Sequence, residues 1–73
     1  MTRANINMIN WAVVCINEFA RLRNLSPRAA FHYLNKYGGI DFIKAHYDAE
    51  HLLSINDAIE DLNIVCINNG GIQ

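Results

Sequence analysis

Apolar side chains recur every three or four positions over most of this chain, and no segment alternates apolar and polar residues at length. The first spacing marks one face of an α-helix, whereas sustained alternation would indicate a β-strand. The pattern therefore predicts four helices after a short polar lead-in over residues 1–5. Their predicted bounds are Ile6–Asn24, Pro27–Tyr37, Ile40–Ala45 and Ile55–Asn68.

Residues with known capping preferences stand at the ends of these segments. Ser26 precedes Pro27, and Ser54 precedes the last apolar repeat. A serine hydroxyl accepts hydrogen bonds from the free N–H groups of a first turn, and proline at the first helical position lacks only an unused donor. Gly38-Gly39 and Gly70-Gly71 follow the second and last helices, where glycine adopts the left-handed conformation that ends a helix.

These elements define an all-α fold class, a small orthogonal bundle of three longer helices and one short helix. A chain of 73 residues holds one domain, here residues 1–73 with an ordered core over about 6–69 and short polar termini. Its apolar content of 52% and charged content of 18% argue against disorder. The predicted core consists of Ala12, Cys15, Ile16, Phe19, Phe31, Leu34, Phe42, Ile59 and Leu62.

Two of the predicted helices carry large apolar side chains on a second face as well. At 100° per residue, Val14 falls opposite the inward arc of the first helix and Trp11 lies at its edge, while Ile64 and Ile67 project outward from the last helix. A helix that is apolar on two faces is normally covered on both. We predict a protein-interaction module that forms a homodimer through these four residues. A stable monomer and a different protein partner are the alternatives.

Charge is distributed unevenly, although the net charge is only −1. Most cations precede residue 37 and most acidic residues follow it, which either steers a partner or pairs the two halves within the domain. Cations near the connection between the first two predicted helices suggest a phosphate-contacting rim formed by Arg21, Arg23, Arg28 and Lys36. A small nucleic-acid-binding regulator is therefore the alternative function, although the chain lacks the basic character of such domains.

The densest polar cluster lies between His46 and Leu53, where no helical repeat is visible and an irregular segment is predicted. Its histidines and carboxylates are residue types that bind zinc, but their spacing differs from H-E-x-x-H. The structural alternative is a turn in which Asp48 caps the backbone and His51 hydrogen-bonds to it. The sequence leaves open whether His46, Asp48, Glu50 and His51 form more than this turn, and we predict no metal or cofactor.

The chain carries no G-x-S-x-G motif, phosphate-binding loop or Cys–His arrangement. Four short helices rarely enclose a substrate cleft, so we predict no enzymatic activity and no catalytic residues. Cys15 and Cys66 lie in apolar runs without a C-x-x-C pairing, no secretory signal is recognisable, and the longest apolar run is too short to span a bilayer. We expect a cytoplasmic protein with reduced, buried thiols and no membrane segment.

Helix-ending and aromatic residues follow a characteristic order between about Met8 and Leu62. They stand in Phe19-Ala20-Arg21, Leu25-Ser26-Pro27, Ala30–Leu34, Tyr37–Phe42, His46-Tyr47-Asp48 and Glu50-His51-Leu52. This order resembles a family of tiny uncharacterised bacterial proteins known only as a domain of unknown function. The resemblance implies an intracellular bacterial origin and a compact helical fold. Members of such families are sometimes encoded beside toxin-like proteins, which implies an adaptor or antitoxin-like role but no functional residues.

Overall fold

A computed structural model describes the backbone of residues 3–71 and the side chains of residues 6–71, and every regular element in that part of the chain is helical. The helices are α1 (Arg3–Arg23), α2 (Pro27–Lys36), α3 (Gly39–Ala45), α4 (Tyr47–Glu50) and α5 (Ile55–Asn68). The predicted all-α class and small helical bundle are therefore confirmed. Among the described residues, no helix has the length and apolarity that crossing a membrane requires.

The start of the first helix and the irregular segment were predicted wrongly, whereas the other helix ends differ from the prediction by at most one residue. The helix α1 begins at Arg3, so residues 3–5 of the predicted lead-in are helical, and residues 1–2 lie outside the described part. No glycine or proline stands there to stop the helix from extending. The segment predicted to be irregular contains α4, which adds a second short helix to the one expected. Its bonds from Glu50 N to His46 O (2.9 Å) and His51 N to Tyr47 O (3.0 Å) make one turn, too short to show a helical repeat.

Local capping holds the helix ends as the sequence predicts. The Ser26 hydroxyl accepts a hydrogen bond from Ala29 N at 3.1 Å, and the Ser54 hydroxyl accepts one from Asp57 N at 3.2 Å. Gly38 has a φ of 81°, a left-handed conformation that ends α2 and lets α3 begin in a new direction. The connections between the longer helices are therefore set by short-range chemistry.

Removal of either serine hydroxyl should cost a measurable but small part of the stability. Ser26→Ala and Ser54→Ala should each lower the free energy of unfolding by about 1 kcal/mol, because in each variant one first-turn N–H group loses its acceptor. Urea denaturation of each variant tests this. Thr at the same position should recover most of the loss, and an alanine variant as stable as the wild type would contradict the capping role.

The core lies where α1, α2, α3 and α5 meet. Of the predicted core residues, five are buried, namely Cys15, Phe19, Leu34, Ile59 and Leu62. Three more pack half-buried around them, namely Ala12, Ile16 and Phe42. Gly39 permits a close approach of α3 to α2 and α5, because a Cβ there would stand 2.8 Å from Leu34 Cδ2 and 3.3 Å from Cys66 Sγ. Any larger residue at this position would push α3 away from α2 and α5.

The prediction that Phe31 belongs to the core is wrong, since its residue surface is 41% exposed. Only Ala30 and Leu34 are buried on α2. Phe31 lies 100° from Ala30 around the helix, at the flank of that inward line. The neighbouring helices therefore cover only part of the apolar face of α2. Which part they cover depends on where these helices lie.

Candidate functional site

The solvent side of α1 is aliphatic over much of the helix. Ile6, Ile9, Val13 and Val14 are each between 43% and 49% exposed. The first three recur at i, i+3 and i+7, so they form a continuous row along the helix, and Val14 lies 100° further round. We call these four residues the α1 patch. From residue 6 to residue 17 the helix carries no charged side chain, and the side-chain amides in this stretch all belong to asparagines.

Sequence reasoning identified Val14 in this patch but missed Ile9 and Val13. On the helical wheel both lie within 100° of Ala12, at the flank of the arc that faces the core. A neighbouring helix could have covered that flank, as happens to Ala20 nearer the end of α1, which is 3% exposed. Both residues were visible in the apolar pattern of the sequence. Whether they are covered or exposed depended on where α2 and α3 lie.

The four residues predicted to form an interface do not share one surface. Val14 is exposed and Ile64 is 55% exposed, while Trp11 and Ile67 are half-buried and Trp11 packs against the core. Val14 lines a shallow cavity with Ile55 at the start of α5. Ile64 follows Ile55 by nine positions, which places it half a turn around the helix and therefore on the opposite side of α5. The structure brings Trp11 and Val14 together and separates Ile64 from them.

A shallow groove of about 320 Å³ lies between α1 and α4. It is lined by Asn7, Asn10, Trp11, Val14, Tyr47 and His51. The Tyr47 and His51 rings stack with centroids 4.4 Å apart, and His51 Nδ1 lies 2.6 Å from the Tyr47 carbonyl oxygen, to which it donates in the Nδ1–H tautomer. We call this feature the α1–α4 groove. Val14 of the α1 patch belongs to the α1 wall, and the opposite wall depends on the position of α4.

The polar cluster of residues 46–51 does not converge on one point. His46 packs against the Phe42 ring at 4.8 Å, and His51 stacks on Tyr47. The predicted backbone hydrogen bond of His51 is present, but the N-terminus of α4 has no side-chain cap, so the role predicted for Asp48 is wrong. Within residues 6–71 no three His, Cys, Asp or Glu side chains are grouped so that they could hold a metal ion.

Glu50 is the member of this cluster that turns inward. It is only 9% exposed, and its Oε1 atom has no hydrogen-bond partner. Its carboxyl group lies beside that of Asp61 on α5 and near Cys15 of α1. Burial, together with hydrogen bonding to Asp61 and the negative charge of Asp61, raises the pKa of Glu50 to about 7. Nothing in the local sequence distinguishes Glu50 from an exposed carboxylate, because its partners come from other helices.

Both cysteines are buried free thiols. Burial raises the pKa of Cys15 to about 12, with a further contribution from the charge of Glu50, and burial also raises the pKa of Cys66. A thiol must ionise to act as a nucleophile or a metal ligand. These two side chains therefore serve the protein as small apolar residues.

The cations predicted to form a phosphate-contacting rim have separate roles in the fold. Arg21 forms an ion pair with Glu18 one turn earlier. The Arg23 guanidinium lies 4.6 Å from the Phe19 ring centroid and 5.1 Å from that of Tyr33, and it donates to Asn63 Oδ1 at 2.6 Å. Arg23 therefore joins α1 to α2 and α5.

The other two predicted rim residues lie on α2. Arg28 is exposed in its first turn, and Lys36 is in its last turn, with its Nζ atom 5.3 Å from the centroid of the Tyr37 ring. They are eight positions apart, about 12 Å along the helix axis. The four cations thus do not present one uninterrupted basic surface.

Comparison with known proteins gives one match. No curated protein and no solved structure is significantly similar to the chain. A family model described as "Protein of unknown function (DUF3791)" matches residues 10–69, which span every helix from the first half of α1 to the end of α5. The resemblance expected from the sequence is confirmed, and the chain belongs to the DUF3791 family.

Proposed function

We propose that this protein is a non-catalytic protein-interaction module that self-associates through the α1 patch. The observation that carries the proposal is the row of half-exposed aliphatic side chains on an uncharged stretch of α1. A solvated helix face is ordinarily polar or charged. Clustered apolar surface on a soluble domain commonly marks a contact with another molecule.

A second copy of the chain suits the charge pattern of this surface. In a symmetric dimer each residue near the two-fold axis faces its own counterpart, so any charged side chain there would meet a like charge. The α1 patch and the asparagines beside it, Asn10 and Asn17, bring no such repulsion. Arg21 and Glu18, already paired with each other, lie beyond one end of the uncharged stretch.

Burial of the α1 patch provides the energy for association. A fully buried valine or isoleucine contributes about 1.5–3 kcal/mol relative to full exposure, and about half of each side chain remains available here. Two-fold symmetry doubles the number of side chains that contribute. Because association costs translational and rotational freedom, we expect a dimer of modest affinity that dissociates on dilution.

Sedimentation velocity over a range of concentrations tests the proposal. The wild type should shift from monomer to dimer as concentration rises. Val13→Glu and Val14→Glu should weaken the dimer at least about 100-fold, because a glutamate held in a dry interface costs several kcal/mol. Asn35→Glu, which adds the same charge at an exposed position of α2, is the matched control and should behave as the wild type.

Three results would contradict the proposal, two from sedimentation and one from a separate DNA-binding measurement. A wild type that stays monomeric at all concentrations contradicts self-association. If Ile64→Glu dissociates the dimer and the two α1 variants do not, the interface lies on the outer side of α5 instead. Salt-sensitive binding of duplex DNA that disappears in Arg21→Ala and Arg28→Ala would identify a nucleic-acid-binding or antitoxin-like regulator in place of the proposed module.

The proposal includes a bacterial, cytoplasmic setting. Reduced cysteines are typical of that compartment, and in this chain Cys15 and Cys66 are free and buried. Fractionation of cells that express a tagged copy of the protein tests this location directly.

A further inference from the structure

We propose that Glu50 and Asp61 share a proton that holds α4 against α5, so that losing this proton opens the α1–α4 groove. The inference does not depend on self-association, because all the groups involved belong to one chain. It assigns a conformational role to a buried carboxyl group that the interaction surface does not use.

The attachment of α4 depends on an unusual anchor. Helices normally dock through apolar side chains, yet the one buried residue of α4 is Glu50. Tyr47 is half-buried, Asp48 and Ala49 are exposed, and the Leu52 residue just after the turn is 78% exposed. Few apolar side chains of this segment are therefore buried. The position of α4 depends on whether the Glu50 carboxyl group stays neutral and can remain buried.

The surroundings of Glu50 favour its neutral form. From α5 it faces the Asp61 carboxyl group, and from α1 it faces the Cys15 thiol, which is uncharged. Two adjacent carboxyl groups cannot both ionise without strong repulsion, so one proton is retained between them. The buried Oε1 atom accepts no hydrogen bond, so nothing stabilises a negative charge on this oxygen.

Loss of the shared proton would place two negative charges side by side, one of them buried. The cheapest relief is for Glu50 to rotate into solvent, because α4 is a single turn with few other attachments. Tyr47 and His51 flank Glu50 in the chain and form the α4 wall of the groove, so they would move with it. Since the pKa of Glu50 is about 7, this change falls within the neutral pH range.

The fluorescence of Trp11 reports on this motion, because Trp11 lines the groove and is the single tryptophan of the chain. At a protein concentration where sedimentation shows only monomer, its emission should change between pH 5.5 and 8.5 with a midpoint near 7. Glu50→Gln keeps the shape of the carboxyl group without its titration, so its emission should stay constant. Asp61→Asn removes the neighbouring negative charge and should lower the midpoint by about one pH unit or more.

His51 lines the same groove, so the control variant must leave it in place. Glu50→Gln retains every histidine, so a transition that persists in this variant contradicts the proposal. Hydrogen exchange of amides 47–53 supplies a second measurement, and between pH 6 and 8 it should accelerate at least about tenfold beyond the intrinsic pH effect in the wild type alone. If Glu50→Gln does not fold, an unmoved midpoint in Asp61→Asn overturns the proposal by itself.

Discussion

Phe19→Ala should leave the protein largely unfolded at 25 °C, whereas Phe31→Ala should barely change its stability. Phe19 is fully buried, stacks on Tyr33 with ring centroids 5.6 Å apart and lies beneath the Arg23 guanidinium. Truncating such a side chain costs about 3–5 kcal/mol, because burial is lost and a cavity remains. A domain of this size has a net stability of about 5 kcal/mol, so little would be left.

The comparison with Phe31 makes this test specific. Phe31 is 41% exposed and lies on the flank of α2, so its truncation should cost less than about 1 kcal/mol. Circular dichroism during urea titration, under identical conditions for both variants, gives the two free energies. Equal losses would contradict the division between core and surface on α2. A large loss for Phe31→Ala that appears only at high protein concentration would place Phe31 in an interface.

Glu50→Gln should stabilise the protein at pH 8 by about 1–3 kcal/mol, because glutamine stays neutral at this buried site beside Asp61, where an ionised glutamate is desolvated and repelled. The pKa of Glu50 is raised from its ordinary value of 4.5 to about 7, so between these values the folded chain binds more protons than the unfolded chain. Stability of the wild type therefore falls as pH rises through this window and levels off above it. Glutamine does not titrate, so the variant should lack this decline.

Urea denaturation at pH 4.5 and pH 8 measures the effect. The two proteins should be nearly equal in stability at the lower pH, where Glu50 is protonated, and should differ most at the higher one. Glu60→Gln is the matched control, because Glu60 is exposed on α5 and its neutralisation should leave the pH dependence unchanged. A parallel decline in wild type and Glu50→Gln would show that Glu50 does not carry the pH dependence.

The pair formed by Glu50 and Asp61 lies near the inner side of α1, whereas the α1 patch lies on its exposed side. Cys15 lies on the inner side of the helix near Glu50, whereas Val13 and Val14 lie on its exposed side. Val14 also lines the α1–α4 groove, so the two features meet at this one residue. A dimer that covers Val14 would therefore contact the edge of the groove, and its affinity can be compared below and above pH 7.

Local chemistry made several features predictable from the sequence alone. The helix α5 runs from Ile55 to Asn68 as its periodicity indicates, and Ser54 caps it as its position suggests. Gly38 has the left-handed backbone that its place after α2 required. All of these depend on contacts within about four residues, the range of a helical hydrogen bond, so the sequence already contains both partners.

The tertiary structure decided which apolar surfaces are covered and where each charged side chain goes. Phe31 was predicted to lie in the core, but it is exposed. Arg23 is paired with Asn63, forty positions along the chain, and Glu50 with Asp61. The sequence by itself determined the four helices other than α4, most of their ends and the excess of apolar surface. Only the packing of these helices decided which part of that surface stays open, because burial depends on neighbours that are distant in the chain.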